Sequence, residues 1–292
     1  MKTKKILKIS IIFLLGIFFV LWTISGILAN EGWLNLENST NETYEIQISG
    51  STTCLPIISE AADDFMDMYD NYDIRVSGGG SSVGVTQVGE GIADIGMASR
   101  DLKSTELSKY PDLKAFPFAL DGIAIIVDKG SNAPSALTME QLVGVYNGTY
   151  TNWNDVGGSS GTIVLMGRDS ASGTRGSFEE ITELDDDDDY NDYKDNIQEY
   201  NSNGGVHDAV AENENAIGYV GLGYVDSDVE AVAIDGVEPS IDSVKSQTYP
   251  ISRALNLITD DDPEDEFLVF INFVFGPEGQ KIVLEEGFIT LY

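Results

Sequence analysis

The residues best equipped for chemistry lie in the run Gly167-Arg168-Asp169-Ser170-Ala171-Ser172-Gly173-Thr174-Arg175. A strand-like stretch, Thr162-Ile163-Val164-Leu165-Met166, leads into it, and Phe178, Glu179, Glu180 and Ile181 continue as a helix, so Ser172 stands at an N-cap. The free N–H groups of the first helical turn, the Ser172 and Thr174 hydroxyls and the Arg168 guanidinium can converge there on one tetraoxyanion. Ser-Gly-Thr ahead of a helix is usually only a cap, so the reading needs support from other strand ends.

The elements upstream supply that support. Tyr44-Glu45-Ile46-Gln47-Ile48 alternates as a strand, Ser49-Gly50-Ser51-Thr52-Thr53 makes a small polar turn, and Ile58, Ala62, Phe65 and Tyr69 mark one face of a helix. The pattern repeats in Asp73-Ile74-Arg75-Val76, then Ser77-Gly78-Gly79-Gly80-Ser81-Ser82, then Val83 to Val88. A third strand, Ala93 to Ala98, ends in Ser99-Arg100-Asp101. In parallel α/β sheets such ends share one edge, where ligands bind, so together they favour an anion site.

Further on, Phe116 to Val127 is apolar but interrupted by Pro117 and Gly122, and reads as a crossing between two lobes with a hinge. Leu137 to Leu142 predicts a short helix starting near Thr138, and Asn152 to Asp155 a turn. Asn203 opens a helix through Ala211, and Ala216 to Val220 returns as a strand. Tyr249 to Ile258 predicts a second crossing, and Phe267 to Phe275 an apolar helix.

Composition narrows the function classes. With 292 residues and 42% hydrophobic content the chain is long enough for two modest lobes. A net charge of −33, from 49 acidic against 16 basic residues, argues against nucleic acid, because that field repels polyanions and no basic patch offsets it. Asp185 to Asp189 and Asp260 to Asp262 read as solvated loops. The five-Asp run lacks the Gly and terminal Glu of a calcium loop. One cysteine, Cys54, excludes an internal disulfide and a cysteine-based zinc cluster, and one histidine, His207, speaks against a histidine-rich metal centre. An enzyme built on Ser170 or Ser172 with His207 as base lacks a Gly-x-Ser-x-Gly elbow. The expectation is therefore no catalytic residue, no metal and no cofactor.

Ile9 to Ala29 carries no charge, follows Lys2, Lys4, Lys5 and Lys8, and is long enough to cross a bilayer with the lysines inside. Residues 1–29 are thus a membrane anchor or a signal cleaved near Ala29, where Ile27 makes a poor cleavage site. No cysteine follows that could carry a lipid. Residues 30–43, with sequons at Asn38 and Asn41, read as an exposed linker, which places the globular part outside the cytoplasm.

Gly50-Ser51-Thr52-Thr53 with Pro56, Gly80-Ser81-Ser82, Asp94-Ile95-Gly96 through Ser99, and Arg168 with Ser172-Gly173-Thr174 occur in an order and spacing that resembles the phosphate-binding proteins of phosphate ABC transporters, a branch of the type II periplasmic-binding fold. The resemblance runs from about Tyr44 to Tyr292. It implies an α/β fold of two lobes, each a mixed sheet flanked by helices, joined by two crossover strands, with lobe 1 at residues 44–119 and 251–292 and lobe 2 at 120–250. It further implies a monomer that holds inorganic phosphate in the cleft for ABC permease subunits. Thr52, Thr53, Ser81, Arg168, Ser172, Gly173 and Thr174 carry over as ligand contacts. After Ser99 the best-known pattern has an aspartate that accepts a proton from phosphate. Here Arg100 stands in that place and Asp101 follows, so either could face the ligand, and selectivity against sulfate or another tetrahedral oxyanion hangs on which does. A sensing or adhesive ectodomain of the same fold is the alternative.

Overall fold

Alternating apolar residues build the first strand, β1 (Tyr44–Gly50), whose Ile46 and Ile48 point into the core. The computed structural model describes residues 43–184, 197–263 and 265–291. The anchor, nearly all of the linker and the five-Asp run lie outside them. Pro56 sits in the first turn of α1 (Leu55–Met68), where its missing N–H costs nothing. This helix buries Ile57, Ile58, Ala61, Ala62 and Phe65, whereas Tyr69, expected on the same face, caps its C-terminus and is exposed.

Next come β2 (Tyr72–Gly78), α2 (Ser81–Gly89), β3 (Ile95–Ala98) and α3 (Ser104–Lys109). β2 and β3 flank β1 on either side, both parallel to it, so the turns after all three strands gather at one edge. β4 (Leu113–Asp128) runs unbroken through Pro117 and Gly122, contrary to the interruption that the sequence suggests. Pro117 is accommodated because the register with the last long strand shifts beside it, a local irregularity that spares a ladder hydrogen bond.

The chain continues through β5 (Ala136–Leu137), α4 (Met139–Tyr146), β6 (Val164–Arg168) and α5 (Gly173–Thr182). Thr138 caps α4 by accepting from the Gln141 N–H, and the Asn152 turn leads into one turn of 3₁₀-helix, Trp153–Val156. There follow β7 (Gln198–Tyr200), α6 (Asn203–Ala211), β8 (Ala216–Gly221), β9 (Val229–Ala231), β10 (Ala233–Ile234) and α7 (Ile241–Lys245). The C-terminal region holds β11 (Ser252–Asp260), α8 (Asp265–Phe275), α9 (Pro277–Glu285) and β12 (Ile289–Thr290).

The main sheet has the order β2-β1-β3-β11-β4-β8-β6-β7. β4 is its spine: its first part pairs antiparallel with β11, and its second part, from Ile123 on, pairs antiparallel with β8. Apolar side chains collect accordingly. One cluster packs α1, α8 and α9 on β1, around Phe65, Phe118, Phe270 and Phe288. Another gathers Tyr146, Trp153, Phe178 and Tyr219, with the Phe178 and Tyr219 rings stacked at 4.2 Å and 9°. A curled, mixed α/β sheet of this kind is what the sequence leads one to expect.

Candidate functional site

Four strand ends meet between these clusters. The turn after β1 brings Ser51, Thr52 and Thr53; the start of α2 brings Ser81; the end of β3 brings Ser99; and β6 with the start of α5 brings Arg168, Ser172, Gly173 and Thr174. Every one of these polar side chains is buried. Ser51 Oγ donates to Ser99 Oγ at 2.9 Å, and Ser81 Oγ accepts from the Ser99 N–H at 3.1 Å. Thr53 Oγ1 and Thr174 Oγ1 are 3.1 Å apart, and Ser177 Oγ donates to the Ser99 carbonyl at 3.1 Å.

The helix starts suit an anion. Ser172 caps α5 as expected, its Oγ accepting from the Arg175 N–H at 3.2 Å. Among the described residues the N-cap residues of α1 and α2, Cys54 and Gly80, make no side-chain cap bond, although Ser51 Oγ accepts from the Thr53 N–H at 3.1 Å in the turn before α1. Gly80, at φ +99°, lets the chain turn into α2 beside Ala171, and the Ser82 N–H donates to the Ala171 carbonyl at 3.1 Å.

Two arginines supply positive charge to a strongly acidic chain. Arg168 is 1% exposed. Its Nε donates to the Tyr200 carbonyl, its Nη2 donates to Thr52 Oγ1 at 3.2 Å and to the Asn201 carbonyl, and its Nη1 is buried with no partner among the described residues. Burial lowers its pKa, since a charge shielded from water is less well solvated. Arg253 enters from β11. Its Nη2 reaches Asp121 Oδ2 at 2.7 Å and Thr53 Oγ1 at 3.1 Å, and its Nη1 is likewise buried and unpartnered. Burial pushes the Asp121 carboxyl above the usual carboxylate range, and Arg253 pulls it back only part of the way.

Among the described residues neither Arg100 nor Asp101 hydrogen-bonds to these clustered hydroxyls, and both line a neighbouring pocket with Ser177 and Arg253. Beyond the end of β3 at Ala98 the chain bends, and the Arg100 side chain turns towards α3. The Arg100 guanidinium is gripped by Glu106 of α3 at 2.6 and 2.8 Å and also donates to Ser82 Oγ. Asp101 is exposed. The buried carboxylate nearest the cluster is Asp121, which the sequence reading passes over as part of an apolar strand.

Asn203 is a further residue that nothing in its local sequence singles out. It is fully buried at the start of α6, and its Nδ2 donates to Thr53 Oγ1 at 2.9 Å and to Thr52 Oγ1 at 3.3 Å. The Tyr224 hydroxyl, also overlooked, donates to the Thr52 carbonyl at 2.7 Å. Nothing local in the sequence marks these residues. Their pairings with Thr52 and Thr53 span 150 or more positions.

The model of the PBP superfamily domain matches residues 36–278. Phosphate-binding protein PstS of Borreliella burgdorferi is 30% identical over 88% of this chain and 93% of its own length. The chain belongs to the phosphate-binding-protein family within the PBP superfamily. PstS of Bacillus subtilis is 29% identical over 97% of this chain and 94% of its own length. Among solved structures, a putative phosphate ABC transporter substrate-binding protein from Clostridium perfringens, determined with bound phosphate, superposes with a TM-score of 0.79. It is 36% identical and covers 85% of this family member and 100% of its own chain. An ABC-type phosphate transport receptor from Vibrio cholerae follows at TM-score 0.71 and 34% identity, covering 84% and 99%.

Proposed function

We propose that this chain is an extracytoplasmic solute-binding protein that captures inorganic phosphate and hands it to the permease subunits of an ABC transporter. The observation that carries the reading is the convergence of Arg168, Arg253 and the Thr52, Thr53, Ser81, Ser99 and Thr174 hydroxyls on one buried cluster. Such a set supplies many hydrogen-bond donors and two charges to a small oxyanion, and donors matter there because an unmet buried polar group costs roughly 1–3 kcal/mol. Thr52, Thr53, Ser81, Arg168, Ser172, Gly173 and Thr174 are the proposed contacts, with Ser99 beside them. We leave Arg100 and Asp101 outside the set, a choice supported by the Glu106 grip on Arg100 and the exposure of Asp101.

The proposed lobes are residues 44–119 with 251–292, and 120–250, linked by β4 and by the segment entering β11. The protein acts as a monomer, tethered through the uncharged apolar segment at residues 9–29 or released after its cleavage. Binding, not catalysis, is the activity, as the names of the relatives support. Calorimetric titration of the full-length protein with phosphate, sulfate, arsenate and molybdate tests the reading. Saturable one-to-one binding of phosphate, tighter than that of sulfate, is expected. No binding of phosphate overturns it.

A further inference from the structure

A hydroxyl group has one hydrogen to give and two acceptor positions, so filling both acceptor positions forces it to donate. That condition is met twice in the cluster. Thr53 Oγ1 receives Arg253 Nη2 at 3.1 Å and Asn203 Nδ2 at 2.9 Å, and Thr52 Oγ1 receives Arg168 Nη2 at 3.2 Å and the same Asn203 Nδ2 at 3.3 Å. An arginine nitrogen can only donate, so its role in each pair is certain. The orientation of the Asn203 amide is fixed equally well. Its Oδ1 lies 3.3 Å from the backbone nitrogen of Gly221, an obligate donor, and 3.5 Å from Thr174 Oγ1, which leaves Nδ2 to face the two threonines.

We infer that Asn203 is a positioning residue that makes Thr52 and Thr53 permanent donors and thereby sets the protonation state of the oxyanion the site prefers. The inference rests on the phosphate-binding reading above. Asn203 acts through the threonines: its two amide hydrogens and the two arginines occupy their lone pairs, so neither hydroxyl can accept a hydrogen from the ligand, and Thr52 has its own hydrogen left to give. With Thr53 unable to accept again, the 3.1 Å bond to Thr174 Oγ1 must run from Thr53 to Thr174. Asp121 completes the device, because its hold on Arg253 Nε and Nη2 aims that guanidinium at Thr53. A pair of threonines that can only donate suits oxygens that carry no hydrogen, which favours the dianion of phosphate over the monoanion.

The test is calorimetry on the full-length protein with inorganic phosphate across the second ionisation of the ligand. In the parent, affinity should rise with pH through that range. In Asn203→Asp the side chain keeps its size and its bond from Gly221 but offers no hydrogens, so both hydroxyls turn towards it and present lone pairs to the ligand. Its phosphate affinity should fall as pH rises. The added charge of that variant pushes the same way, so a neutral cycle accompanies it. Asn203→Ala should weaken phosphate about tenfold at fixed pH in the parent, and much less when Thr52 and Thr53 are both valine. An effect of Asn203→Ala that is the same within twofold in both backgrounds overturns the inference, as does a parental pH profile in Asn203→Asp. A parent that binds no phosphate overturns the functional reading itself, and is read before any variant is made.

Discussion

Asp121 and Arg253 stand directly opposite each other in the antiparallel register of β4 and β11 and close a buried ion pair, with Asp121 Oδ2 2.7 Å from Nη2 and 3.0 Å from Nε. Asp121 is 0% exposed and Arg253 8%. The pair sits where the two long strands cross between the halves of the sheet, and it touches the candidate site through Thr53.

Removing one partner of such a pair strands a charge that water cannot reach. Asp121→Leu should therefore cost about 3–5 kcal/mol of folding stability, measured by urea denaturation. The double replacement with Arg253→Met should recover most of that loss, since well-packed apolar side chains replace a buried pair at little cost. A single variant within about 1 kcal/mol of the parent would show that the pair is not sealed from solvent.

Asp101→Asn is expected to leave the phosphate-to-sulfate affinity ratio unchanged within about twofold, because Asp101 is exposed and its neighbour Arg100 is held by Glu106. Calorimetry at neutral pH and matched salt decides it. A ratio that collapses towards unity would put the carboxylate back in the site.

Thr52, Ser81, Arg168 and Ser172 were legible in the sequence because each sits in a short run where strand, turn and helix signals adjoin, and a cap such as Ser172 needs only the residue three positions on. Asp121, Asn203 and Arg253 were not, because their chemistry comes from pairings 132, 150 and 200 residues apart. Asp121 lies in an apolar strand, Asn203 at a helix start, and Arg253 in a crossing segment. Arg100 misleads for the opposite reason. Its neighbour Ser99 faces the cluster, yet Glu106, six residues on, takes the Arg100 guanidinium. The two crossings were legible as apolar runs, but their register, which creates the Asp121–Arg253 pair, was not.

His207 gives the fold a pH dependence of known sign. Partial burial lowers its pKa, but hydrogen bonds to Asp208 and Asp226, both at 3.0 Å, outweigh that and leave it above the ordinary value. A raised folded pKa means that the charged imidazole stabilises the native state below about pH 6.5, the ordinary value. That contribution fades as pH climbs through the folded pKa. Comparing thermal midpoints of the parent and His207→Gln, the parent should lead at pH 5 and the two should merge at about pH 8. The lead should be small, since both carboxylates are solvent-accessible. A gap that widens with pH would reverse the assignment.

Gly173 offers the sharpest test of how the strand ends meet. A Cβ built there would overlap Ser81 Oγ, lie 2.8 Å from Ser81 Cβ and come within 2.7 Å of Ser99 Oγ. The serine hydroxyls can rotate, but Ser81 Cβ is fixed to the first turn of α2 and cannot yield without moving the helix. Gly173→Ala should therefore hold the start of α5 away from Ser81 and Ser99 and lengthen the bond from the Ser82 N–H to the Ala171 carbonyl. The α5 backbone itself gains from alanine, which favours helix over glycine by about 0.8–1.0 kcal/mol in a helix interior and by less at a first turn. Stability and binding should thus part company: urea denaturation without ligand should change by no more than about 1 kcal/mol, while phosphate affinity falls about tenfold or more as contacts from the two sides no longer close together. A variant that binds phosphate like the parent would mean that Ser81 and the Ser172-Gly173-Thr174 turn do not grip the same anion.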